Sequence, residues 1–122
     1  MKLKTVFIIN AAFAAFGGLS LLLAPEQTFS SYGATLNPGG VFVAHILGVT
    51  VLGVSVISYM FRNVRDKHAL KPVLIGFIIA HAGSAVFAFL AAVTGLFNQM
   101  VWFDVIAHGV LAAGFGYYLQ SK

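Results

Sequence analysis

Four stretches of this sequence are nearly free of charge, and they limit the folds open to the chain more than any other feature. Residues 5–24 and 41–61 contain no Asp, Glu, Lys or Arg; residues 73–94 add one histidine, His81, and residues 101–119 add Asp104 and His108. Each runs to about 20 residues, the length a helix needs to cross the hydrocarbon core. In an open chain only a helix pairs every backbone N–H and C=O within its own segment, as lipid demands. Apolar residues make up 60% of the 122-residue chain and charged residues 8%, against about 25% charged in an ordinary soluble domain. A water-soluble fold has no means of hiding that much apolar surface. The expected fold is therefore all-α: one integral membrane domain over residues 1–122, a four-helix transmembrane bundle with helices at 5–24, 41–61, 73–94 and 101–119. The first stretch reads as a span and not a signal peptide, because its apolar run is long and "LLLAPEQ" is a poor cleavage site.

The chain has no cysteine, which excludes disulfides, thiolate catalysis and cysteine-held metals. Its formal net charge is +4, from seven Lys and Arg against three Asp and Glu. Nucleic acid is not the implied partner, since the basic residues all flank the spans. Lys2 and Lys4 precede the first; Arg62, Arg65, Lys67 and Lys71 separate the second and third; Lys122 follows the fourth. With four spans, all of them fall on one side, which the positive-inside rule makes cytoplasmic, both termini included. The segment "RNVRDKHALK" is then a topology signal, its His68 solvated, and contact with anionic lipid is a compatible second role.

The longest connection, "PEQTFSSYGATLNPGG", is punctuated by Pro25 and Pro38, with Gly39 and Gly40 releasing the second helix. Part of it is expected to fold back on the outer surface, Phe29 and Tyr32 sitting at headgroup level. "FIINAAFAAFGG" and "FIIAHAGSAVFAF" suggest a faint two-plus-two repeat. Small residues recur at four-residue spacing, as in Ala14/Gly18, Gly109/Ala113 and Ala112/Gly116. Such faces let helices approach closely in lipid, within the bundle or between copies in a homo-oligomer or larger membrane complex.

Three histidines, His45, His81 and His108, each follow an alanine inside an apolar run. Counting the helical rise from the outer ends puts His45 roughly 6 Å deep, Asp104 about 5 Å, His108 about 10 Å and His81 about 18 Å, with Asn10 deeper at about 21 Å and Thr50 and Ser84 between. Asp104 and His108, four apart, share one helix face. Ionisable groups are costly in lipid and turn toward a bundle interior or a wet cavity. His45, Asp104 and His108 form a candidate metal set of two imidazoles and a carboxylate, and His45, His81, Asp104 and His108 a candidate cofactor or proton site. Two facing histidines can also clamp a haem iron. By the depth count His81 needs a water, Ser84 or a ligand to reach His108. No catalytic residues are assigned: the sequence holds no phosphate loop, nucleophile elbow or H-E-x-x-H helix.

The residues "LLLAPEQTFSSYG" after the first helix and "AHILGVTVLGVSVISYMFR" in the second resemble those of DoxX-like and similar small bacterial four-helix membrane proteins. The resemblance implies a multi-pass protein of the bacterial inner membrane and supplies no catalytic residue. Two function classes follow. The leading one is a small non-enzymatic accessory or self-associating module whose histidines are packed and hydrogen-bonded. The other is a membrane binding or transport module whose His/Asp site takes a metal, haem or protons.

Overall fold

Helices form where the apolar runs lie, and their ends are set by proline and by short polar side chains. The computed structural model describes residues 2–121. Its helices are α1 (Leu3–Leu23), α2 (Pro25–Ser31), α3 (Pro38–Phe61), α4 (Lys67–Val93) and α5 (Val101–Gln120), with no strand among the described residues. Helices α1, α3 and α4 are each long and apolar enough to cross a membrane, which points to a membrane protein. Helix α5 has 20 residues and carries Asp104 and His108 in its first half.

Pro25 and Pro38 stand at the first position of α2 and α3, where a missing N–H has no intrahelical partner to lose. Asn37 caps α3, its Oδ1 accepting from the Gly40 N–H at 2.7 Å. The helix expected from residue 41 therefore begins at Pro38, and Gly39 and Gly40 lie inside its first turn. The long connection contains α2. Helix α4 begins at Lys67, not at residue 73, because Asp66 caps it by accepting from the His68 N–H at 3.0 Å. Leu70 and Lys71 are good helix formers, and Pro72 interrupts the ladder only near its start. His68 thus belongs to the first turn of α4, where it is exposed.

Helix α1 packs along α3 and α4 along α5, and the two pairs meet through α1 and α5. The α1–α3 contact is a crossing of glycines. A Cβ on Gly48 would lie 2.9 Å from the Gly18 carbonyl oxygen and 3.0 Å from the Leu22 nitrogen, so no larger residue fits without moving a backbone. Ser55 Oγ donates across the same pair to the Ala11 carbonyl at 2.7 Å. The α4–α5 pair is spaced by rings: Phe77 and Phe115 have centroids 5.2 Å apart, Phe89 and Trp102 5.9 Å. Phe7 of α1 inserts against Phe115 at 5.4 Å and Phe77 at 6.2 Å. The outer surface is as apolar as the interior, with Phe16, Leu23 and Phe87 exposed by 75%, 77% and 74%. Gly109 and Gly116 have nothing within 4 Å of a built Cβ, so these two small residues lie outside the bundle packing.

At the end away from the termini, two connections form a cap. The Asn98 N–H donates to the Tyr32 carbonyl at 2.8 Å, and its Nδ2 donates to the Ser31 carbonyl at 2.9 Å. Gly33, at φ +78°, makes the turn that presents those carbonyls. Phe97 packs on the rings of Phe29 and Tyr32 at 6.2 Å and 5.8 Å.

Candidate functional site

Beneath this cap lies a cleft of about 370 Å³ lined by residues from every helix. One wall is apolar, from Phe13 and Leu21 of α1, Leu47, Val51 and Val54 of α3, and Phe97 above. The other is polar, with Tyr32, Asp104, His108, His81 and Ser84.

The polar wall continues into the bundle as a row of hydrogen bonds. His108 Nδ1 and His81 Nδ1 are 2.8 Å apart. His81 Nε2 is 2.9 Å from Asn10 Oδ1, and Asn10 Nδ2 donates to Ser58 Oγ at 2.7 Å. Asn10 and Ser58 are fully buried, and His81 is 5% exposed. The rings are held by aromatic neighbours: Phe13 meets His108 edge-on at 5.2 Å, and Phe115 stacks on His81 at 6.0 Å.

The proton positions follow from the donors and acceptors. Asn10 gives its N–H to Ser58, so its carbonyl faces His81 and must receive a proton from His81 Nε2. Neutral His81 then has a lone pair on Nδ1, which accepts the Nδ1–H of His108. That leaves His108 Nε2 as the unprotonated ring nitrogen of the pair. An extra proton taken there can pass through the shared hydrogen bond to His81. It goes no further, because the Asn10 amide is no acid–base group at ordinary pH. The row therefore presents an acceptor to the cleft and offers no continuous proton path across the bundle.

Tyr32 closes the row at the cap. Its phenol pairs with the Asp104 carboxylate; burial first, and that carboxylate second, raise its pKa well above the ordinary tyrosine range. Asp104 lies one turn from His108 and acts on it electrostatically.

The sequence-predicted site residues do not all meet. His81 and His108 are directly bonded, without the bridging water or ligand that the depth count required. That count set the ends of α4 and α5 level; the ring pairs Phe77–Phe115 and Phe89–Trp102 instead fix a register that brings the two histidines opposite one another. His45 is not among the residues around the cleft. It rides on α3, which packs along α1 and α2. Among the described residues no three His, Cys, Asp or Glu side chains converge as a metal set, so the His45, Asp104 and His108 grouping is not formed. Nor are the two rings spaced as a haem clamp. Two imidazole nitrogens on opposite faces of a haem iron, each about 2 Å from it, would stand about 4 Å apart, whereas these are 2.8 Å apart and hydrogen-bonded to each other. Thr50, expected in the same polar series, bonds back to the Ile46 carbonyl at 2.9 Å. Ser58, and the pairing of Tyr32 with Asp104, were not foreseen: a lone serine in an apolar helix and a headgroup-level tyrosine give no signal of a distant partner.

No protein-family model, curated protein or solved structure matches this chain.

Proposed function

We propose that this is a non-enzymatic, multi-pass membrane protein whose cleft binds a lipid-soluble molecule with a small polar head. The observation that carries the reading is the two-sided cleft. An apolar wall from α1 and α3 faces Tyr32, Asp104 and His108, and the polar side is continuous with a buried hydrogen-bonded row. A hydrocarbon body fits the first wall, and a hydroxyl, carbonyl or acidic head fits the second. Ligand sites combine a mostly apolar surface with a few placed polar groups in this way. His108 Nε2, the acceptor that the row leaves over, takes a hydrogen bond from a hydroxyl or acidic head.

In this reading α5 is the fourth span, with Asp104 and His108 turned from lipid into the cleft. Both termini are cytoplasmic, and the membrane is the bacterial inner membrane that the DoxX-like resemblance implies. Self-association is a second reading, favoured by the open surroundings of Gly109 and Gly116 on α5.

Mass spectrometry of an organic extract of the purified protein tests the binding role. A hydrophobic small molecule should co-purify in near-stoichiometric amount and be lost in Val51→Trp, which fills the cleft. A folded wild-type protein carrying nothing above the Val51→Trp background would overturn it. Orientation is tested with single cysteines. Those at Ser31 and Gln99 should react with an impermeant thiol reagent in intact cells, and one at His68 should not; the opposite pattern rejects the topology.

A further inference from the structure

A second cleft, of about 910 Å³, opens at the other end of the bundle between the start of α1, the α3–α4 connection and the end of α5. Lys2, Lys4, Arg62, Arg65, Lys67 and Lys71 all line it, with the accessible Leu3 and Leu119 among them. The positive-inside bias asks only that basic residues lie on one side of the membrane. It does not ask that six of them, from two separate segments, surround one concavity. The sequence has three acidic side chains, Glu26, Asp66 and Asp104. Glu26 and Asp104 lie in the first turns of α2 and α5, at the far end. Asp66 is engaged at the α4 N-terminus through the His68 N–H. Arg62 is held in place, its guanidinium 3.5 Å above the centre of the Tyr59 ring and its N–H donating to the Tyr59 carbonyl. Like charges gathered around one concavity focus a positive potential that draws an anion into it, and the leucines beside them suit the first carbons of an acyl or glycerol group.

We propose that this basic cleft is a phosphate site that takes the phosphodiester head of an anionic phospholipid. The cations meet the phosphate, and the leucines meet the glycerol and upper acyl carbons. The site is separate from the capped cleft and does not depend on what that cleft binds.

The test uses the full chain in a neutral detergent, with phosphatidylglycerol, phosphatidylcholine or inorganic pyrophosphate added, and binding read by native mass spectrometry and thermal shift. Phosphatidylglycerol should bind and raise the melting temperature more than phosphatidylcholine, and added salt should weaken it. Replacing two cations, Arg65→Gln with Lys71→Gln, should lower phosphatidylglycerol affinity about thirtyfold, and Lys67→Gln alone about fivefold. The single variant keeps the test open if the double variant does not fold. Equal binding of the two lipids, or unchanged phosphatidylglycerol affinity in either folded variant, overturns the site. Pyrophosphate binding as tightly as phosphatidylglycerol would keep the phosphate chemistry and reject a lipid as its source.

Discussion

The two helix pairs are joined at different distances. Helices α1 and α3 touch at backbone distance, through Gly18 and Gly48. Helices α4 and α5 are held at ring distance, by Phe77 with Phe115, Phe89 with Trp102 and the bonded histidines. In lipid, helices gain no water-driven attraction to each other, so close packing or polar bonds must hold them. A glycine crossing supplies the first, beside the Ser55–Ala11 and Asn10–Ser58 hydrogen bonds of the same pair, and leaves no room for a ligand. A ring-spaced pair supplies the second, and its side chains reach into the space between the pairs. The cleft lies where these two solutions meet, one side smooth and apolar, the other polar and hydrogen-bonded.

The hardest way to break this contrast is to add a side chain at the crossing. Gly48→Leu places atoms where the Gly18 carbonyl already lies 2.9 Å from a Cβ. It should cost about 3 kcal/mol or more, since backbone has to move. Gly109→Leu, which meets nothing within 4 Å, should change stability by less than about 0.5 kcal/mol. Reversible unfolding in mixed micelles of increasing SDS fraction measures both. Equal costs would show that the Gly18–Gly48 crossing is no tighter than an open helix face.

The polar pair is the next target. His81→Leu leaves the fully buried Asn10 carbonyl without its partner, and the His108 N–H at the cleft as well, and should cost about 2–3 kcal/mol. His108→Leu removes only the partner of His81 Nδ1, beside a cleft that water can enter, and should cost about 1 kcal/mol. If His108→Leu is the more damaging, the row is anchored at the cleft and not at Asn10.

These residues also show what the sequence could and could not reveal. The long apolar runs made the helices legible, because length and lack of charge are enough to specify a span. The start of α4 was not legible, because charged residues before Pro72 look like a loop until Asp66 is seen to cap them. Depth along each helix could be counted, so Asn10, His81 and His108 were already in one series. Rotation and register could not be counted, so His45 looked like the partner of His108 when His81 is. The same limit applies to glycine: Gly48 and Gly109 are identical in sequence, and only the neighbouring helix distinguishes a crossing from an open face.

A milder change acts on the cap that ties the pairs together. Asn98→Ala deletes the Nδ2 bond to the Ser31 carbonyl and the Oδ1 acceptor of the Met100 N–H, which are 2.9 Å bonds. Both are exposed, so the cost should be about 1 kcal/mol. Faster hydrogen exchange should be confined to the two connections. Exchange spreading into α1 or α4 would mean that the cap holds the bundle, and not only the cleft's roof.

The smallest effect is expected at Tyr32, where the α2–α3 connection meets α5 through Asp104. Burial, and then the Asp104 carboxylate, raise the phenol's pKa from its ordinary value of 10.0. The folded state therefore holds this proton more tightly than the unfolded state does. Below about pH 10 both states keep it, and stability does not depend on it. As pH rises further the unfolded chain ionises first, so stability falls with increasing pH until the folded phenol ionises as well. At neutral pH Tyr32→Phe should cost at most about 1 kcal/mol, the worth of one partly exposed hydrogen bond. The difference in ultraviolet absorbance between wild type and Tyr32→Phe isolates this one phenol during titration. Asp104→Asn removes the carboxylate and should lower the midpoint, but not to the ordinary value, because the burial remains. A midpoint unmoved by Asp104→Asn would show that the phenol and carboxylate are not paired. A midpoint at the ordinary value in wild type would show that Tyr32 is open to water, and that the helix pairs are tied there by Asn98 alone and deeper by contacts such as Asn10–His81 and Phe7–Phe115.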